Sequence, residues 1–259
     1  MNSRIHSFEG IENFRDFGGY ASRFGGCMPA SRLFRSGHYV GATAADLESL
    51  DRLGIEVITD LRRPTERGTD RVPRLPRFTG QIIENDIGDL AEGPHIAFLR
   101  QTDMTPQSIG RYLQSYYSAA PFEERYSQLF TRYFRALSQC EGAAWIHCAA
   151  GKDRTGILVA LTHDLLGVAE EDLIADFLLT NEAMDVERRL PDYGPRLERL
   201  CGRPPSDAAI RCFLGVDRAS VDATLRAVRA RYGSTERYTV QHLGVAPDIV
   251  HAIRERLLK

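Results

Sequence analysis

The chain has 259 residues, 43% of them hydrophobic and 26% charged, the balance of a soluble globular protein at a length one α/β enzyme can fill. A formal net charge of −2 excludes a protein that holds nucleic acid by bulk charge, so any attraction for anions has to be local. The opening "MNSRIHSFEG" lacks an apolar core long enough for a secretory signal, and no run approaches a membrane span. The expectation is a cytoplasmic chain with no integral membrane segment and no nucleic-acid partner.

"NFRDFGG" (13–19) is polar and glycine-rich in a way core segments are not. "TAADLESLDRLG" (43–54) reads as a helix with Thr43 as its N-cap and Gly54 as its stop. "IEVITDL" (55–61) is a β-branched buried strand, and "GQIIE" (80–84) a further one. Residues 88–110 are polar and read as a long irregular surface excursion. Helical spacing runs from 108 to 140, and Pro121 divides it into two helices. "AAWIHC" (143–148) is another buried strand, followed by the helix "RTGILVALTHDLLG" (154–167). From 170 onward everything reads as helix, interrupted at "DYGP" (192–195), "GRPP" (202–205) and "YGS" (232–234). Strands alternating with helices predict an α/β protein built on a central, mostly parallel sheet.

The five cysteines are odd in number and form no CxxC pair, which argues against a disulfide framework and a cysteine-rich zinc site. Four of them are expected to be ordinary free thiols, mostly buried. Cys148 is different, because it ends a strand where open α/β sheets place their ligands. The loop after it, "CAAGKDR", offers consecutive backbone N–H groups and a helix N-terminus, both suited to an oxyanion. Ala149, Ala150 and Gly151 are small enough to let the backbone curl around a phosphate, and Arg154 can fork two donors onto it. Such surroundings favour a thiolate at Cys148, a nucleophile placed for in-line attack. A Walker-type nucleotide loop fails, since Ile146 stands where the first glycine should be and no Ser or Thr follows Lys152. A sulfurtransferase loop is usually one residue shorter.

"HCAAGKDRTG" (147–156) resembles the HCxxGxxR[ST]G signature of cysteine-dependent protein tyrosine phosphatases. More narrowly, the chain resembles the bacterial tyrosine/serine protein phosphatases related to a mycobacterial tyrosine phosphatase B. The resemblance rests on "NFRDFGGY" (13–20), "RLFRSG" (32–37), "LGIEVITDLRRPTE" (53–66), "ADFLLTNEAM" (175–184) and "YGSTERYTVQHLGV" (232–245), in order along nearly the whole chain. It implies a tyrosine phosphatase-like fold in one domain over 1–259, with a helical lid at about 175–215 and a helical C-terminal part. It also implies no metal or other cofactor, a phosphocysteine intermediate, and phosphorylated protein or phosphoinositide as substrate.

Under that reading Cys148 is the nucleophile and Arg154 the transition-state clamp. Ala149, Ala150, Gly151 and Lys152 join Arg154 in binding phosphate, with Lys152 a mobile cation at the pocket mouth. Thr155 would hydrogen-bond the thiolate, and His147 would orient the loop by hydrogen bonding. The general acid stays open. No W-P-D motif exists, Asp153 lies in the loop itself, and Asp86 and Asp89 in "ENDIGDL" (84–90) are alternatives. Arg15 or Asp16 would buttress the loop. Asp60 stands at a second strand end as a supporting residue, and Arg62 or Arg63 would receive the rest of an anionic substrate. Competing readings are a phosphate-binding pseudoenzyme and a redox-signalling thiol.

Overall fold

The structure, a computed structural model, describes residues 4–88 and 93–259. Among these residues five strands, β1 (Arg15–Asp16), β2 (Leu33–Ser36), β3 (Ile55–Asp60), β4 (Gln81–Ile83) and β5 (Ala143–His147), form one sheet in the order β1-β2-β5-β3-β4. All neighbours are parallel except β1 against β2. The helices are α1 (Ala44–Asp51), α2 (Pro64–Thr69), α3 (Pro94–Gln101), α4 (Pro106–Ala119), α5 (Glu124–Leu137), α6 (Asp153–Leu165), α7 (Glu170–Ala183), α8 (Val186–Cys201), α9 (Asp207–Leu214), α10 (Arg218–Tyr232), α11 (Thr235–Arg237) and α12 (Pro247–Leu257). This is the mixed α/β architecture with a mostly parallel sheet that the sequence implies. Among the described residues no helix is long and apolar enough to cross a membrane.

Side chains alternate across a strand, so apolar runs such as "LF", "VI" and "WI" feed both faces of the sheet. On one face Phe34, Ile58 and Trp145 pack with Phe14, Tyr39 and Leu50. On the other, Leu33, Val57 and Ile146 meet the cores of α4, α5 and α6. Thr155 through Leu165 of α6 are all buried, which accounts for a helix sequence without a polar stripe. The register sets Ser36, His147 and Asp60 side by side at the carboxyl ends of β2, β5 and β3. The candidate site begins one residue further on.

Thr43 caps α1 as expected, its hydroxyl accepting from Asp46 N while Asp46 accepts from Thr43 N. Three expectations need correction, two about elements and one about the cysteines. Residues 88–110 are not simply irregular: α3 lies there and α4 starts at Pro106, each opened by a proline in its first turn. "DYGP" is not a break either, because α8 runs through Pro191 and Pro195. Its buried Val186, Leu190 and Leu197 form one apolar stripe, and packing along that stripe outweighs the two lost N–H donors. All five cysteines are free, and Cys27 and Cys212 are exposed rather than buried.

Candidate active site

Cys148 follows β5 directly and is 2% exposed. Beyond it the chain turns on Gly151, whose φ of +66° suits glycine and whose added Cβ would lie 2.2 Å from the Ser36 carbonyl carbon. The next three carbonyls are pinned from outside the turn. Ala149 O accepts from His38 N at 3.0 Å, and Ala150 O from Asn13 Nδ2 at 3.0 Å. Gly151 O accepts from both Asn13 Nδ2 at 3.0 Å and Arg35 Nη2 at 3.1 Å. In a planar trans peptide the N–H points opposite to the C=O. The N–H groups of Ala150, Gly151 and Lys152 therefore face the interior of the turn, beside the N-terminus of α6, an arrangement that attracts an oxyanion.

Arg154, in the first turn of α6, is gripped by the Glu66 carboxylate through both terminal nitrogens, with Nη2 to Oε1 at 2.8 Å, and also reaches Leu61 O at 3.3 Å. Glu66 is held in turn as the third residue of α2, where Oε2 caps Arg63 N at 2.6 Å. Burial pushes the Glu66 carboxyl up, but hydrogen bonding and charge from Arg154 outweigh it and bring it down to about 2. Burial alone would lower the Arg154 guanidinium, but Cys148 and Glu66 hold it well above its ordinary value. The fork thus stays charged and oriented.

Asp153 lines the same cavity as Cys148, with Tyr117 Oη donating to Oδ1 at 2.8 Å and the Lys152 ammonium 3.6 Å from Oδ2. Lys152 is not the mobile mouth cation expected. It is 6% exposed, and its ammonium donates to Phe213 O of α9 at 2.5 Å. Thr155 Oγ1 is fully buried and finds no hydrogen-bond partner among the described residues. The His147 ring is held by packing, 5.3 Å from Trp145 and 5.4 Å from Tyr39 between ring centres, with Nδ1 3.7 Å from Asp60. Burial brings its pKa down to about 4 against the pull of Asp60, so the ring is neutral at pH 7.

Asp60 accepts from Arg62 N, Nε and Nη2 at 2.8 to 3.1 Å, so Arg62 is spent inside the protein while Arg63 lines the cavity. Asp16 turns away from the loop to accept from Gly18 N and Ser31 N. Asp86 lies outside the cavity, its side chain 90% exposed and paired with Arg67, because the chain after β4 leaves along the surface. Asp89 lies outside the described residues.

Above the loop is a cavity of about 220 Å³. Cys148, Ala149, Ala150, Tyr112, Tyr116, Tyr126, His95 and Arg63 line it, together with Met184, Tyr193 and Phe213. The last three come from the end of α7, from α8 and from α9. The structure therefore brings Cys148, Asp153, Arg154 and the loop amides together. It adds Glu66, Asn13, Arg35, Tyr117 and His95, which sequence reasoning missed. Glu66 had a readable signal, the Pro-Thr-Glu opening of a capped helix. Asn13 and Arg35 lie in "NFRDFGGY" and "RLFRSG", stretches the resemblance rests on, but only the tertiary fold brings them to residues 150 and 151.

Residues 6–259 match the tyrosine phosphatase family. A Cupriavidus necator protein provisionally named a tyrosine-protein phosphatase is 32% identical over 235 residues, 90% of this chain and 81% of that protein. A tyrosine-protein phosphatase from Nostoc commune is 29% identical over 235 residues, 89% of this chain and 75% of that protein. The triple specificity protein phosphatase PtpB of Mycobacterium tuberculosis is 28% identical over 286 residues, 98% of this chain and 99% of that protein. With the match spanning almost its entire length, the chain belongs to the tyrosine phosphatase family.

Proposed function

We propose that the protein hydrolyses phosphomonoesters, phosphotyrosine in protein above all, by covalent catalysis at Cys148. The Cys148 sulfur attacks phosphorus, forming the S–P bond as the P–O bond to the leaving group breaks. Asp153 gives its proton to the departing oxygen, then takes one from the water that attacks phosphocysteine, and inorganic phosphate leaves. The inward N–H groups of the loop and the Arg154 fork meet the charge on the non-bridging oxygens through both steps. Thr155 Oγ1, buried without a protein partner, supplies a donor for the thiolate as it departs. The pinning of the three carbonyls around Cys148 is the observation that carries this reading, because it turns an ordinary strand–helix turn into an anion cradle.

Aromatic walls suit a phenyl phosphate, which favours phosphotyrosine over phosphoserine. A wider groove of about 1240 Å³ shares Met184 and Tyr193 with the cavity and leaves room for flanking peptide. A second reading, phosphoinositide headgroups, is favoured by Arg63 on the cavity wall, and the Mycobacterium tuberculosis relative carries a triple specificity name. Initial rates on phosphotyrosine peptide, phosphoserine peptide and phosphoinositide, with a chelator present and Cys148→Ser as control, test both. The first reading expects phosphotyrosine to lead and the variant to be inactive. A leading phosphoinositide rate would move the assignment to the second, and no cysteine-dependent release from any of them would end both.

A further inference from the structure

The turn's outward pins lead to a buried polar cluster that the reaction itself does not use. Asn13, 3% exposed, sits at a φ of +59° and donates through one Nδ2 to two loop carbonyls. Its Oδ1 accepts from Arg15 Nη1. Arginine has donors and no acceptor, so the amide atom facing Arg15 must be the oxygen, which leaves the NH₂ group aimed at the loop. Arg15, fully buried, is anchored by Thr180 Oγ1 at 2.9 Å and Asp176 O at 3.3 Å on α7. Arg35, also fully buried, pairs with Asp176 Oδ2 at 3.0 Å and gives its other nitrogen to Gly151 O.

We infer that Asn13 is the positioning residue of the phosphate loop, locked in one amide orientation by Arg15 and backed by the Arg35–Asp176 pair, so that the loop amides stay turned toward the anion. This deepens the phosphatase reading and rests on it. Two geometric facts support it beyond packing. Both acceptors of the Asn13 NH₂ group are carbonyls whose reversal would turn N–H groups away from the cavity. The cluster also holds two guanidinium groups against one carboxylate, so a surplus positive charge lies directly behind Gly151, where it favours an anion in front. Burial, and then Arg35, bring Arg15 down to about 9, which still leaves it charged at neutral pH.

The test uses inorganic phosphate as the probe, on the full chain. Asn13→Gly keeps the left-handed backbone unstrained and deletes only the amide. Asn13→Asp keeps the shape but turns an acceptor toward the two carbonyls, and Thr180→Val loosens Arg15 from a distance. Phosphate inhibition constants, kcat on an aryl phosphate, the pH profile of Cys148 alkylation by iodoacetamide, and Tm are measured on each. The expected result for Asn13→Gly is about a tenfold weaker phosphate affinity, with a similar fall in kcat. Asn13→Asp should lose more and Thr180→Val about threefold, and the alkylation profile of each should move to higher pH. Folded variants whose phosphate affinity and alkylation profile stay within about twofold of the parent, even with Tm lowered, would overturn the inference. Should the aspartate variant not fold, the other two decide it. If the parent protein neither binds phosphate nor cleaves the aryl phosphate, the phosphatase reading itself fails, a distinct outcome.

Discussion

Asp153 is fixed from two sides, by the Tyr117 hydroxyl on Oδ1 and the Lys152 ammonium near Oδ2, with the cavity in front of it. That fixing suits a group that must meet the leaving oxygen in one orientation. Asp153→Asn keeps the bond from Tyr117 and removes only the proton. We expect kcat on a phenyl phosphate to fall by about 10²–10⁴, the usual value of a positioned acid, with a smaller loss on a nitrophenyl ester that leaves unaided. An equal loss on both esters, or none on either, would remove Asp153 from that role. Lys152 shows how far a single residue can mislead. Its sequence neighbours suggest a cation free to reach substrate, but the approach of Phe213 buries it and uses its charge on a carbonyl. Nothing in "GKD" announces a contact with residue 213.

At the scale of elements, local signals succeeded where local physics decides. Thr43 with Asp46 is a complete capping box, and α1 begins where it must. The runs "IEVITDL" and "AAWIH" became β3 and β5 because β-branched and apolar residues buried on both sides have no better conformation. Of the three expected helical breaks, those at "GRPP" and "YGS" stand, and the one at "DYGP" failed because tertiary packing decides there. "DYGP" (192–195) reads as a stop, but the stripe of Val186, Leu190 and Leu197 holds α8 together across Pro191 and Pro195. The chain from 88 to 110 looked irregular because α3 and α4 open on proline, a residue that reads as a breaker unless its place in the first turn is recognised. The strand–loop–helix placement of Cys148 and Arg154 was legible for the opposite reason, since eight contiguous residues carry it. The frame around them comes from β1, β2, α2 and α7, and no local pattern encodes that assembly.

The whole molecule carries these local charges into its pH response. His147 is neutral in the fold with a pKa of about 4, while a free histidine titrates near 6.5. The unfolded chain therefore binds a proton first as pH falls, so this group's contribution to stability drops between about 6.5 and 4. Glu66 acts lower down. Its folded pKa of about 2 gives stability that is complete above about 4.5 and is lost as pH falls toward 2. Both slopes have the same sign, so Tm should decline steadily from pH 7 to pH 3. His147→Gln should flatten the upper part and Glu66→Gln the lower. A Tm profile unchanged by either variant would contradict the electrostatics described. The central claim is chemical, that turnover passes through a phosphoryl group on Cys148. The direct measurement is acid quenching of the protein during turnover of a phosphotyrosine peptide, followed by mass analysis of its fragments. The account predicts one phosphoryl group on the fragment containing Cys148, absent from Cys148→Ser. Sustained turnover with no phosphorylated fragment, or with the phosphoryl group on another residue, would contradict it.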